Sequence, residues 1–333
     1  MGQTSNIEWT DSTWNPIRGC SPVSPGCKNC YAANIAKRFS GPGKPFEGLV
    51  RINAKGERTN EWSGEITFAE NHLLDPLKWG PVADPTAPIA NRILKDGAII
   101  SARLRPRRIF VNSLSDLFHE NVTDEMRDRI FGVMALCSGH HFQVLTKRPE
   151  AMERYLLTGP HAKAHVREFF IGHQAQIIHQ AKTGNPVLEW TGLPMPNVIL
   201  GTSIENQEWA AKRVEPMQLL SDSGWFTMVS YEPALGPVDW EPWGFTNWII
   251  AGGESQKGAR SSETAWFRSA RDYAAALNIP FLFKQWGEFL PDDQNPAMRQ
   301  DPRPPASGAI RVGKAKAGHL LDGKEHLAFP EGF

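Results

Sequence analysis

Short apolar runs that end in small or polar residues recur along the chain at 109–112 (IFVN), 142–146 (FQVLT), 198–202 (VILGT), 226–230 (FTMVS), 248–252 (WIIAG) and 280–284 (PFLFK). Runs this short and this continuously apolar read as strands buried on both faces. Helical signals lie between several of them. At 123–137 (TDEMRDRIFGVMALC) Thr123 is suited to accept from the free backbone N–H groups of a first turn, and Asp124 and Glu125 sit where a helix favours negative charge. The stretches 206–220 and 264–277 read the same way. Strand, helix, strand repetition with right-handed crossovers builds a parallel sheet, and about six to seven units are enough to curl it into most of a barrel. The expected fold is therefore α/β, a partial parallel (β/α) barrel over 1–290, in preference to an open doubly wound sheet.

Three regions fall outside the pattern. The stretch from about 40 to 106 is rich in Gly, Pro and charge and reads as long loops with a small helix at 70–77. An insertion at about 158–197 carries a helix over 161–182 between Gly-Pro and Asn-Pro breakers, and 291–333 reads as a loosely structured C-terminal tail.

Parallel barrels gather their chemistry at the carboxyl ends of the strands. Here the residues just past each run are polar: Asn112, Ser113, Ser115, Asp116 and His119; Thr146, Lys147 and Arg148; Ser203, Glu205 and Asn206; Tyr231 and Glu232; Gly252, Gly253, Glu254 and Ser255; Lys284, Gln285 and Trp286. Polar residues follow any strand where a chain turns, so the recurrence at successive strand ends marks the site, not any single residue. Lys147 and Arg148 are suited to pair with a carboxylate or phosphate, or else form a solvated basic pair. Glu205, Glu232 and Glu254 are acceptors for ribose hydroxyls or an ammonium, with surface ion pairing as the plainer reading. Trp9, Trp14 and Trp286 either stack on an adenine or shield a metal centre, or simply pack in the core.

The N-terminal segment from 14 to 32, WNPIRGCSPVSPGCKNCYA, places Cys20, Cys27 and Cys30 in a C-x6-C-x2-C spacing within a loop of Gly, Pro and Ser. Thiolates are the ligands that zinc and iron-sulfur clusters select. A 4Fe-4S cluster on three of them leaves one iron open to a substrate or cofactor, whereas a structural zinc site closes with a fourth ligand. Cys137 lies in an apolar helical pattern and reads as a small hydrophobe. His72, His119 and His140 are the candidates to complete a zinc site, so both metals stay open on spacing alone. His161, His165, His173 and His179 in the insertion read as a solvated helix face.

Composition narrows the class. Lys plus Arg and Asp plus Glu are 36 each, which removes the basic excess of a sequence-independent nucleic-acid binder. A chain of 333 residues buries a core without metals or disulfides to staple it. No stretch approaches the roughly 18 apolar residues of a membrane span, and the start lacks a leader pattern. Four cysteines, three of them within eleven residues, fit a metal site in a reducing compartment. The expectation is a cytoplasmic protein with no membrane partner.

Taken together, WTDSTWNPIRGCSPVSPGCKNCYA, FVNSLSDLFHE, VLTKRP, LGTSIENQ, SYEPALGPV, IIAGGES, FLFKQWGEF and HLLDG resemble the phage- and prophage-associated three-cysteine-motif family of unassigned function, a divergent relative of the radical S-adenosylmethionine superfamily. The resemblance runs from residue 9 to about 323. It implies a partial barrel, a 4Fe-4S cluster on Cys20, Cys27 and Cys30, and reductive cleavage of S-adenosylmethionine with an external electron donor; it implies no known substrate, and nucleic-acid modification or repair is the favoured class by association with the genomic company the family keeps. A requirement for a partner protein is a further reading, and a zinc- or cluster-stabilised binding module without radical chemistry is the alternative. The chain departs from the wider superfamily in two ways. The common spacing there is C-x3-C-x2-C with an aromatic residue before the last cysteine, whereas here Asn29 precedes Cys30. The Gly-Gly-Glu motif usually ends the second strand but here, as Gly252, Gly253 and Glu254, ends a late one, which leaves Asn112, Ser113, Ser115 and Asp116 to take its place.

Overall fold

The computed structural model describes residues 4–93, 99–159, 166–185, 188, 190–295 and 308–333. One sheet of seven strands runs in sequential order: β1 (Ser12–Trp14), β2 (Arg107–Val111), β3 (His140–Thr146), β4 (Val198–Ser203), β5 (Phe226–Tyr231), β6 (Trp248–Gly252) and β7 (Phe281–Gln285). Every neighbouring pair is parallel. β1 and β7 are the sheet's two edges, so the curled sheet is a half-barrel flanked by helices. β4 and β6 are buried at every position, as strands covered on both faces must be.

Five helices matter for the site: α1 (Tyr31–Arg38), α2 (Asp124–Leu136), α3 (Val166–Thr183), α4 (Gln207–Asp222) and α5 (Thr264–Ala276). Thr123 Oγ1 accepts from the Met126 N–H and Asn206 Oδ1 from the Trp209 N–H, each at 3.2 Å, satisfying donors that a helix start leaves free. Alternation along the strands sorts the side chains into two cores. Val111, Val144, Leu200, Val229, Ala251 and Phe283 pack with Phe131, Met217 and Phe267 of the helices. Phe110, Ile199, Met228, Ile250 and Leu282 turn to the other face and line the hollow with Trp9 and Trp248.

The six expected strands stand within two residues of their expected bounds, and β1 is added to them. Differences lie at the periphery. The small helix expected at 70–77 is two 3-10 turns, Glu70–His72 and Pro76–Lys78, because Pro76 has no N–H with which to continue a helix. The loops expected over 40–106 contain antiparallel strands: Val50–Ile52 with Arg58–Trp62, and Ile99–Arg105 with both Val82–Ala83 and Ile89–Ile93. The insertion's helix is described from Val166, so His161 and His165 lie outside the described residues.

The expected loose tail is, where described, packed against the sheet. Ala309–Arg311 pairs with Phe289–Pro291. Phe283 N–H donates to His326 O at 2.8 Å and Ala328 N–H to Phe281 O at 3.2 Å. This brings Phe329 and Phe333 against the aromatic floor of the hollow at the amino ends of the strands. Among the described residues, no helix is long and apolar enough to cross a membrane.

Candidate functional site

The cysteine loop follows β1 and lies across the carboxyl ends of the sheet, tied to four of its strand ends. Past β2, Ser113 O accepts from Tyr31 Oη at 2.6 Å, and His119 Nε2 lies 2.9 Å from Ser21 Oγ. Past β3, Arg148 Nη2 donates to Ser21 Oγ at 2.7 Å and to Ser21 O at 3.1 Å. Past β4, Glu205 Oε1 accepts from Ser24 Oγ at 2.6 Å. Past β6, Glu254 Oε2 accepts from Asn29 Nδ2 at 3.0 Å, and Arg260 Nη2 donates to Pro25 O at 2.9 Å. A Cβ on Gly26 would sit 2.6 Å from Glu205 Oε1, so only glycine lets the loop come this close to β4.

The three thiols end up on the wall of one cavity of about 140 Å3, shared with Asn112, Asp116, Lys147 and Arg148. Cys20, Cys27 and Cys30 are free and half-buried. Cys30 occupies the N-cap position of α1 without a side-chain cap bond. α1 is held down by Ala32, Ala33 and Ala36 against Phe46, Leu49 and Trp62. Burial and the nearby Asp116 charge push the Cys20 thiol up to about 12, with Arg148 opposing them. A metal that binds Cys20 must therefore displace a proton.

Asp116, Glu205 and Glu254, the carboxylates beneath the loop, are partnered and buried. Asp116, 5 % exposed, accepts from Thr146 Oγ1 at 2.7 Å, Phe118 N–H at 2.9 Å and Arg148 Nη1 at 3.0 Å. The same Nη1 is 3.9 Å from Cys20 Sγ. Glu205 is fully buried, with Arg213 Nη1 at 3.0 Å and Lys147 Nζ at 3.9 Å. Burial would raise the Glu254 carboxyl, but bonds from Arg260 and Asn29 outweigh it and hold the group below its usual range. His119 Nδ1 accepts from the Asn121 N–H at 3.1 Å, which leaves Nε2 to donate to Ser21 in the neutral ring. Burial and then Arg148 depress its pKa and favour that neutral form.

A second cavity, of about 330 Å3, opens beside the first, with Cys30 and Tyr31 on the shared wall. Trp9, Phe110 and Leu145 form its apolar side, while Lys147, Ser203, Glu232 and Lys284 supply polar groups. Lys284 Nζ is 3.1 Å from Glu232 Oε1. Asn112, 2 % exposed and in the left-handed region at φ 59°, lines the smaller cavity with its Nδ2 buried and without a protein partner.

Several expectations change in this geometry. Arg148 is no solvated cation awaiting a phosphate; it is 6 % exposed and committed to Asp116 and Ser21. Glu205 and Glu254 spend their acceptors on the cysteine loop and on Arg213 and Arg260, while Glu232 faces the larger cavity. Gly252 and Gly253 allow close packing: a Cβ on the first would lie 2.6 Å from Glu232 Oε1, and on the second 2.0 Å from Trp286 O. Trp14 and Trp286 belong to the core between sheet and helices, and only Trp9 of the three tryptophans lines a cavity.

Of the histidines considered for zinc, His72 bonds Asp75 at 2.8 Å, His140 bonds Trp79 O at 3.0 Å at the start of β3, and His119 alone adjoins the loop. Among the described residues no three His, Cys, Asp or Glu side chains are gathered on a single metal-ion position. Three thiols on one cavity wall fit the donor set of a cluster, whose irons are spread over several positions.

Sequence reasoning did not single out Ser21, Ser24, Asn29, Tyr31, Arg213 or Arg260. Four of these lie inside the cysteine segment itself, so the segment was visible, but their partners are 82 to 225 residues away.

Residues 4–330 match a family described as Protein of unknown function (DUF5131). No curated protein and no solved structure matches the chain.

Proposed function

Because the chain belongs to the DUF5131 family, whose description gives no function, we propose from its own site that it is a radical S-adenosylmethionine-type enzyme holding a 4Fe-4S cluster on Cys20, Cys27 and Cys30. The observation that carries this reading is that the three thiols line one cavity at the carboxyl ends of a parallel half-barrel, where such folds conduct their chemistry. Cys137, buried just past α2, belongs to the helix-side core. Cys20, Cys27 and Cys30 would hold the cluster, which with an electron from an external donor would supply the reductive cleavage of S-adenosylmethionine to methionine and a 5'-deoxyadenosyl radical.

The chain's own residues bind, aim and exclude water. The four ties to Ser21, Ser24, Asn29 and Tyr31 fix the thiols relative to the sheet. The cavity of about 330 Å3 beside Cys30 is the space for the cofactor's nucleoside and the substrate. Trp9 and Phe110 give it an apolar face, Glu232 with Lys284 a polar one, and Asn112 Nδ2 offers a free donor at the smaller cavity. Nucleic-acid modification or repair is the substrate class we propose; its support is association through the family that the motifs resemble, which is analogy, and with 36 basic and 36 acidic side chains the chain has no overall basic excess to add to it.

The test is direct. Anaerobic protein reduced with dithionite in the presence of S-adenosylmethionine is expected to release 5'-deoxyadenosine and methionine. Colourless protein that holds stoichiometric zinc and leaves S-adenosylmethionine intact contradicts the reading and favours a zinc-held binding module.

A further inference from the structure

We propose that Arg148 is a positioning residue that sets the reduction potential of the metal centre through Cys20, with Asp116 as its counterweight; this rests on the cluster reading above. Arg148 stands at the carboxyl end of β3, in another element from the thiols, yet its guanidinium is aimed into their loop. Nη1 lies 3.9 Å from Cys20 Sγ and 3.0 Å from Asp116 Oδ2, while Nη2 holds both the carbonyl and the hydroxyl of Ser21, the residue that follows the cysteine. The fork therefore fixes the first cysteine's orientation and presents it with a cation.

Burial makes that cation count. Arg148 is 6 % exposed and Asp116 5 %, so water screens neither strongly. Asp116 is in turn fixed by Thr146 Oγ1 at 2.7 Å and the Phe118 N–H at 2.9 Å, which keeps the pair from rearranging when charge changes beside it. A cluster gains negative charge on reduction, and its potential follows hydrogen bonds to sulfur and the net charge around it. The arginine favours the reduced state and the aspartate disfavours it. Charge-neutral replacements of the two must move the potential in opposite directions, whereas a role confined to holding the loop would not give opposite signs.

The experiment is an EPR-monitored redox titration of the reconstituted wild type, Arg148→Gln and Asp116→Asn. Arg148→Gln is expected to titrate at a more negative potential by at least about 59 mV, a tenfold change in the one-electron reduction equilibrium. Asp116→Asn is expected to titrate at a more positive one. Unchanged potentials, or shifts of the same sign, overturn the proposal while leaving the cluster reading intact. Should Arg148→Gln fail to retain the cluster, Asp116→Asn decides alone: a positive shift supports the proposal and its lack overturns it. A wild type that takes up no cluster overturns the functional reading, and this inference with it, before any variant is compared.

Discussion

At the amino end of the half-barrel the hollow is sealed by rings: Phe329 packs on Trp248, Phe333 on Phe226 and His141, and Arg108 lies 3.6 Å over the Phe329 ring. At the carboxyl end the same hollow is roofed by a loop of Ser, Pro, Gly and Cys, held by hydrogen bonds to Arg148, Glu205, Glu254 and Ser113. One end is stabilised by removing apolar surface from water, which is non-directional and tolerant. The other depends on paired polar groups in a dry setting, where each loss of a partner leaves a buried group unsatisfied. Apolar packing is concentrated at the first end and buried polar pairing at the second.

This division can be broken from either side. The largest effect on folding is expected from Trp248→Ala at the sealed end, where the ring is fully buried and its Nε1 donates to Ala328 O at 3.0 Å. A loss of about 3–5 kcal/mol should appear in denaturant unfolding, with the thiols still able to take up metal at low temperature. Uptake that fails in proportion to stability would show that the two ends are not separable. At the roof, Gly26→Ala presses a Cβ against the buried Glu205 carboxylate. Overpacking of this kind costs about 1–3 kcal/mol, here against docking of the loop. It should be read as faster loss of iron to a chelator with an unchanged unfolding midpoint.

A pH dependence is expected at the sealed end, and near neutral pH it has no effect. Burial first, then the charges of Arg108 and Arg105, lowers the His141 pKa to about 4, and its Nδ1 is buried without a partner. The unfolded chain, with a histidine near about 6.5, binds the extra proton first. Stability from this group is thus complete above about 6.5 and is lost as pH falls toward about 4. His141→Gln should flatten the melting temperature across that window relative to wild type, while a parallel pH profile for the two proteins would count against the assignment.

How much of this was legible follows the same division. The strands show in the sequence because burial on both faces writes unbroken apolar runs, as in VILGT and WIIAG. β1, with only Ser12, Thr13 and Trp14, is too short to write a period. The cysteine spacing singled out the loop and its three thiols without any structure. Its attachment was hidden, since Ser24 meets Glu205 across 181 residues and Asn29 meets Glu254 across 225, and nothing local distinguishes a tethered carboxylate from a solvated one. Arg148 illustrates the point: the run Thr-Lys-Arg reads as a basic pair, and only the fold reveals that one of the two is buried between an aspartate and a thiol. The C-terminal seal was missed for another reason, because Phe329 and Phe333 contribute as isolated rings with no periodic pattern around them.

The central claim, a cluster on three thiols at the roof of the half-barrel, is tested most directly by anaerobic reconstitution of wild type and Cys27→Ala followed by iron and sulfide analysis. The account predicts brown wild-type protein with about four irons and four sulfides per chain, and a colourless Cys27→Ala protein that unfolds at the same midpoint as metal-free wild type. Wild type that binds only zinc, or a Cys27→Ala protein that keeps its full iron and sulfide, would contradict it.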